Sequence, residues 1–277
     1  MTGSLDTQAI YSLTHRQIAN NEAAQEMMAY LWRDWGGYVG QLSWVTAAQL
    51  AAMAEAAGLA PGRAALDLCC GTGGITRHLV ATTGATMTGL DYSEPAIEIA
   101  RRDAAAVPAI RFDHGDAREL PYGTAEFDAV ISVDSLVIVP DRRQVLAECA
   151  RVLKAGGRLV FSDEVLTGPV PRDPETQRAL AVYGRLFPLT APGYRRLLVH
   201  LGFTEIEIHD RTPMFVAINR RWADSYRRFE ESGRKVLGDR LFEDGLAFFD
   251  TLHAEGAAGR LGQVLVSATW TGHDGAH

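Results

Sequence analysis

Along the chain, short apolar runs alternate with longer stretches whose apolar positions recur at helical spacing. Runs over about 64–69, 85–90, 109–113, 127–133 and 158–164 have the length of buried strands. Between them, Ile75, Leu79 and Val80 share one helical face, and a second helix begins at Ser93, with Pro95 tolerated in its first turn. A third opens at Pro140 and turns Val145, Leu146, Cys149, Val152 and Leu153 toward a core. Strands alternating with helices of this length predict an α/β fold, a doubly wound and mostly parallel sheet covered on both faces.

The alternation breaks after Glu164. The proline-rich segment 167–174 reads as a loop, followed by a helical piece carrying Leu180, Val182, Leu186 and Phe187. A helix over 191–201 stops at Gly202, and a sixth strand covers 203–209. Residues 212–258 are helical in pattern, with Trp222, Tyr226 and Phe229 on one stripe and Leu246, Phe248, Phe249 and Leu252 on another; a seventh strand follows at 262–270. Upstream, Thr14-His-Arg-Gln17 has the form of a capping box for a helix carrying Ile18, Met27, Met28 and Leu31, and Ser43 is expected to cap the next helix, which stops at Gly58. The predicted organisation is an N-terminal helical and aromatic lid (1–42), a seven-stranded core (43–211 and 259–277) and a helical cap inserted between strands six and seven (212–258).

The candidate chemistry begins at Ala65-Leu-Asp-Leu-Cys-Cys-Gly-Thr-Gly-Gly-Ile-Thr-Arg-His-Leu-Val80, a strand, a glycine turn and a helix. Such a turn lets backbone N–H groups and a helix N-terminus approach a ligand closely. It is not a dinucleotide fingerprint, because Thr76 stands where the third glycine belongs, and it is not a P-loop, because it carries no lysine. Three further strand ends carry acids. Asp91 closes Thr86-Met-Thr-Gly-Leu-Asp91, where a carboxylate accepts from ribose hydroxyls; Asp116-Ala117 pairs an acid with a backbone donor, suited to an adenine edge; Asp134 ends Phe127-Asp-Ala-Val-Ile-Ser-Val-Asp134. As alternatives, Asp91 and Asp134 cap the helices that follow and Asp116 sits in an ordinary turn.

In that order and spacing the residues resemble the class I S-adenosylmethionine (SAM) dependent methyltransferases over roughly 40–210. The first motif matches Leu66–Gly74, the ribose acid Asp91, the adenine pair Asp116-Ala117, and the loop before strand five Leu153–Leu159. The resemblance implies SAM as cofactor, held by Trp35, Asp67, Cys69, Gly71, Thr72, Gly73, Asp91, Tyr92, Asp116, Ala117 and Val133. It also implies a substrate near Tyr38, Leu136 and Glu164, with Asp134, Tyr11 and His15 as candidate catalytic groups. Many relatives place a histidine after the strand-four acid; here Leu136-Val-Ile-Val139 stands there, which leaves the base unassigned.

Five aromatics fall within Tyr30–Trp44, broken by Gly36, Gly37 and Gly40. They read either as a turn that packs a helix onto the domain or as a lid whose rings face a sulfonium or ammonium. Around Trp35-Gly36-Gly37 the chain resembles glycine, sarcosine and dimethylglycine methyltransferases and related natural-product enzymes, without the acids that usually follow the paired glycines. Two substrate classes stay open: an aliphatic amine or amino acid held by Arg195, Arg196, Arg220 or Arg221, and an aromatic or indole-bearing metabolite methylated on nitrogen or carbon, including indole C3. A SAM-binding module without methyl transfer, regulatory or catalysing a rearrangement, is the reading from another class.

Composition narrows the partners. The 277 residues carry 27 Lys and Arg against 34 Asp and Glu, a net charge of −7 that argues against nucleic acid. Asp134-Ser-Leu-Val137 also lacks the signature of adenine methylation in DNA. No apolar run is of membrane-spanning length and the polar start is unlike a signal peptide, so a cytoplasmic protein is expected. Three cysteines and eight scattered histidines show no metal-ligand spacing, and no metal is expected. A small-molecule substrate follows, and a homodimer is compatible with the sequence.

Overall fold

The computed structural model describes residues 21–169, 172–181, 186 and 188–272. Its sheet runs in the order β3-β2-β1-β4-β5-β7-β6, with β1 (Ala64–Leu68), β2 (Thr86–Asp91), β3 (Ile110–His114), β4 (Phe127–Val133), β5 (Leu153–Leu166), β6 (Phe203–Asp210) and β7 (Leu261–Trp270). The neighbours from β3 to β5 pair in parallel, and β7 alone runs against its neighbours β5 and β6. Winding proceeds outward from β1 to β3, then crosses to β4 and proceeds the other way. This leaves a crevice at the carboxyl ends of β1 and β4, where ligands bind in sheets of this kind.

Alternation along the strands divides the core. Leu66, Leu68, Val130, Leu159 and Phe161 face α5 (Arg142–Val152) and α7 (Ala191–His200). Ala65, Met87, Ile131, Val160 and Leu265 face α2 (Ala47–Ala56) and α3 (Gly74–Thr83). Strands buried on both faces must be apolar nearly throughout, which is why these runs read as continuous. Against β2 and β3 lies α4 (Glu94–Asp103), capped by Ser93 with Pro95 in its first turn as the sequence predicts.

Local details differ from expectation. Thr46, not Ser43, caps α2, through a complete capping box with Gln49. Asp141 caps α5 in place of Pro140, after a single 3-10 turn over Leu136–Ile138. β5 begins at Leu153, earlier than predicted, because it enters the sheet directly from the end of α5. The capping box at Thr14–Gln17 lies outside the described residues.

The insertion forms three helices, α8 (Thr212–Arg228), α9 (Glu230–Leu237) and α10 (Asp239–Ala257); α6 (Pro174–Leu180) precedes them in the chain. Trp222 stacks on Phe249 with ring centroids 4.6 Å apart, and Tyr226 packs on Phe242 and Phe249. The aromatic stripe is therefore the seam between α8 and α10. Phe229 differs: at the end of α8 it meets Tyr30 of α1 (Glu22–Trp32) edge-on. Met28, Leu31 and Trp32 of α1 are buried in the same cluster as Phe215, Ile218 and Trp222. The N-terminal helix and the insertion thus share one hydrophobic core beside the sheet.

Candidate active site

Three glycines of the turn after β1 are needed for three different reasons. Gly71 sits at φ +54°, which a side chain tolerates poorly. A Cβ on Gly73 (φ +70°) would fall 2.2 Å from the Phe112 ring, so this glycine serves packing against β3. A Cβ on Gly74 would meet the Gly40 backbone at 2.5 Å, because the segment after α1 lies directly on the start of α3. No side chain caps α3 at Gly73, which leaves its first N–H groups without a side-chain acceptor. Arg77 steadies the turn by donating to the Thr72 carbonyl (2.9 Å), and Thr76, at the place of the missing third glycine, donates to Asp67 at 2.5 Å.

That bond settles the place of Asp67. Its side chain is beneath the turn, buried, and burial pushes its pKa up to about 7 against the pull of the Thr76 hydroxyl; the Asp91 charge adds to the rise. Asp67 holds α3 to β1 from beneath the turn. Cys69 follows at φ +63°, a left-handed conformation that is strained for a residue other than glycine. Desolvation first, then neighbouring acids, push the thiols of the half-buried Cys69 and Cys70 well up.

Asp91 closes β2 beside the glycine turn. Its Oδ2 accepts the Gly71 N–H and its Oδ1 the Ser93 N–H, both at 2.8 Å, so one carboxylate joins the turn to the start of α4. Each oxygen keeps a second lone pair for a ligand hydroxyl. Beside it the Tyr92 ring is 57% exposed and tilted against His114, an aromatic face open at the strand end. At the next edge, the Asp116 carboxylate is gripped by Arg118, whose Nη2 and Nε lie at 2.6 and 3.0 Å and whose N–H lies at 2.9 Å. The guanidinium holds the Asp116 carboxyl below its usual range. An adenine amino group would share that acceptor with Arg118, while the Ala117 N–H makes no hydrogen bond among the described residues. Together, the uncapped helix start, the half-used Asp91 and the free Ala117 donor fit a nucleoside with a charged side arm.

Asp134 ends β4 at φ +48°, a second strained residue on the strand that pairs with β1. Its Oδ2 accepts the Trp44 N–H; its Oδ1 accepts from Ser162 Oγ and Gln263 Nε2, all three at 2.7 Å. Burial raises its pKa and these donors pull it back. The carboxylate joins the N-terminal segment, β5 and β7, a positioning role that leaves it less free to take a substrate proton than the sequence suggested. Trp44 in turn donates from its indole nitrogen to Asn219 of α8 at 2.7 Å, and its ring lies against Phe215.

The other expected residues divide. Glu164 is buried at this edge, and its pKa is pushed far up by burial and by the charges of Asp134 and Asp163. Val133 is in the core beneath it. Tyr38 is half-buried near Arg77, its hydroxyl pushed up to about 12 by desolvation. Trp35 turns toward the cap, with its ring against Trp32 and 5.1 Å from the Arg221 guanidinium, instead of toward the glycine turn. Leu136 opens the 3-10 turn and is buried in the core cluster with Val145 and Phe161. Tyr11 and His15 lie outside the described residues. The sequence reading missed Gln263, Asn219, Ser162 and Gly40. Gln263 carried one legible signal, the one large polar side chain in β7, whose other polar residues are the small Ser267 and Thr269.

Comparison with known proteins agrees with this geometry. The family model described as "Methyltransferase domain" matches residues 66–161, the span from β1 into β5. An O-methyltransferase, cnsE, of Penicillium expansum is 36% identical over 193 residues, 66% of each chain. The matched stretches span two thirds or less of the curated relatives' own length. In fold, the chain is similar to a sarcosine dimethylglycine methyltransferase, described as putative, from Galdieria sulphuraria (TM-score 0.72, 19% identity, 81% of this chain and 84% of that one). It is also similar to the [4+2]-cyclase SpnF (TM-score 0.74, 23% identity, 96% and 97%). With the sheet order, the glycine turn and the strand-end acids in place, the chain belongs to the class I S-adenosylmethionine-dependent methyltransferases.

Proposed function

We propose that the protein transfers the methyl group of SAM to a small nitrogen-containing metabolite, an amine or an indole or other aromatic natural product. The observation that carries this reading is the row of strand ends at one crevice, where Asp91, the Ala117 N–H and the uncapped start of α3 suit the nucleoside and its side arm. When bound, SAM supplies a methyl group on an already activated leaving group. What the protein must add is orientation, holding the acceptor about 3–3.5 Å from the methyl carbon and in line with sulfur. The strained Asp134 and its three donors fix the edge where that acceptor would lie.

A second reading, transfer to a hydroxyl, is favoured by the identity to a relative named an O-methyltransferase. The likeness to a cyclase of the same fold keeps a SAM-binding catalyst without methyl transfer in view. One experiment separates the three. Pure protein is incubated with methyl-labelled SAM and pools of amines, indoles and phenols, and SAM loss and methylated products are followed by mass spectrometry. Label on an amine or indole supports the first reading and label on phenolic oxygen the second; SAM bound without loss removes both.

A further inference from the structure

Two buried oxygens face the same edge without a hydrogen-bond partner: Glu164 Oε2 and Gln263 Oε1. Their residues are direct cross-strand partners on β5 and β7, so both side chains leave the same face of the sheet. Glu164 is 5% exposed and Gln263 fully buried. Neither oxygen satisfies the other. Buried polar atoms in native proteins are almost always partnered, and an oxygen left without one at a crevice points to a missing ligand.

The orientation of this pair is fixed by its neighbours. Gln263 Nε2 donates to Asp134 Oδ1 at 2.7 Å, and an ionised carboxylate only accepts, so the amide cannot turn over and its Oε1 must face elsewhere. Asp134 is itself held by Ser162 and by the Trp44 N–H. Of the other buried polar atoms without partners, Trp32 Nε1 and Ser43 Oγ lie on other elements, whereas Arg211 Nε belongs to the residue that follows β6 and whose backbone N–H donates to the Gln263 carbonyl at 2.8 Å. What this edge offers is a preorganised acceptor on Gln263 beside the Glu164 carboxyl, joined through Asp134 to the backbone of Trp44, whose ring lies against Phe215.

We propose that Glu164 and Gln263 are specificity-determining residues that bind an N–H or O–H donor on the substrate, and so select acceptors carrying such a donor on a small apolar body. This rests on the methyl-transfer reading and deepens it. An analogue identical except for a blocked donor leaves both oxygens stranded, and sites built to hydrogen-bond a substrate group reject analogues that lack it far more strongly than they resolve a methylene.

Two measurements on the full chain loaded with S-adenosylhomocysteine test the assignment. In the first, Glu164→Met replaces an unpartnered acid by an apolar side chain of similar length. Its Tm is expected to rise by about 2–4 °C, the scale of a modest stabilisation in a domain of this size. An unchanged or lower Tm would mean that Glu164 has an internal partner, and would overturn the proposal. In the second, calorimetry compares indole with 1-methylindole, which differ by the one N–H. Indole is expected to bind at least about tenfold tighter to the native protein, with the difference lost in Glu164→Met. Equal affinities, or binding of neither, would overturn the proposal. Failure of the native chain to bind S-adenosylhomocysteine at all would strike instead at the methyl-transfer reading.

Discussion

Replacing Asp91 by alanine isolates the most connected acid of the crevice. In the protein its two oxygens each accept one backbone N–H at 2.8 Å, from Gly71 and Ser93, and each retains a lone pair for a ribose hydroxyl. Loss of the carboxylate therefore acts twice. Hydrogen bonds to a charged group contribute about 1.5–3 kcal/mol each, so two lost ribose contacts set an upper limit of about 6 kcal/mol. Asp91 is only partly buried, and water refills much of the space, which brings the net loss to about 2–3 kcal/mol, or roughly 30- to 150-fold in Kd. The stranded Gly71 and Ser93 donors add a fall in Tm of a few degrees. Titration calorimetry with S-adenosylhomocysteine measures the first effect and differential scanning calorimetry the second. Asp91→Asn, which keeps one acceptor oxygen, should fall between the native protein and alanine. A Kd for Asp91→Ala within about threefold of native, with the lowered Tm present, would refute the ribose role and leave Asp91 a purely structural tie between turn and helix.

Other substitutions probe the parts around it. Gly40→Ala places a methyl 2.5 Å from the Gly74 Cα at a φ of +95°, so it should destabilise the chain by about 1–3 kcal/mol in urea unfolding and speed release of bound nucleoside; unchanged stability would mean that the two glycines do not touch in solution. Asp67→Asn tests the buried acid beneath the turn. Because the folded pKa, about 7, is above the ordinary carboxylate value, the native state holds the proton more tightly, and the associated stability is full at low pH and lost as pH rises from about 4 through 7. The variant should match the native protein near pH 4 and exceed it at pH 8 by up to about 4 kcal/mol, an upper bound on an order-of-magnitude scale; a gap independent of pH would refute the buried-acid assignment. Asp134→Asn must turn an NH2 group toward at least one of its three donors, so Tm and turnover should fall together. Loss of turnover at an unchanged Tm would instead restore Asp134 as the base.

The fold was legible because its signals are local and repeated. Apolar runs from β1 to β5, each followed by a helix-length stretch, leave few arrangements other than a parallel sheet wound in both directions, and the chemistry of that sheet collects at its carboxyl edge. Asp91 and Ala117 drew notice for the same reason, since one closes β2 and the other follows the end of β3 by three residues. What was hidden depended on long-range contacts. Thr76 reads as a defect in a glycine fingerprint until its hydroxyl is seen on Asp67. Gly40 is one of three glycines in an aromatic segment, and only its contact with Gly74, more than thirty residues on, gives it a purpose. Trp35 and Leu136 were drawn to the site by their place in the sequence, yet tertiary packing turned one toward the cap and the other into the core.

The same contacts bear on how the crevice closes. The segment after α1 is tied at three points: Gly40 on Gly74, the Trp44 N–H on Asp134, and the Trp44 indole on Asn219 of the cap. Because α1 is buried with α8 and α10, this segment cannot lift without either breaking all three or carrying the cap along. The charged bond contributes about 1.5–3 kcal/mol and the neutral one about 1, so opening costs on the order of 3–4 kcal/mol and leaves roughly one molecule in a few hundred open. A closed ground state of this kind favours the chemistry, since the acceptor meets an edge already ordered and largely dry. It also ties a forty-residue insertion, remote in the chain from the glycine turn, to Asp134 through Trp44. Asn219 and Phe215 give Trp44 the fixed position from which its backbone N–H holds Asp134, and Asp134 holds Gln263. Weakening the cap should therefore loosen the edge where the acceptor binds before it disturbs the slot for the nucleoside.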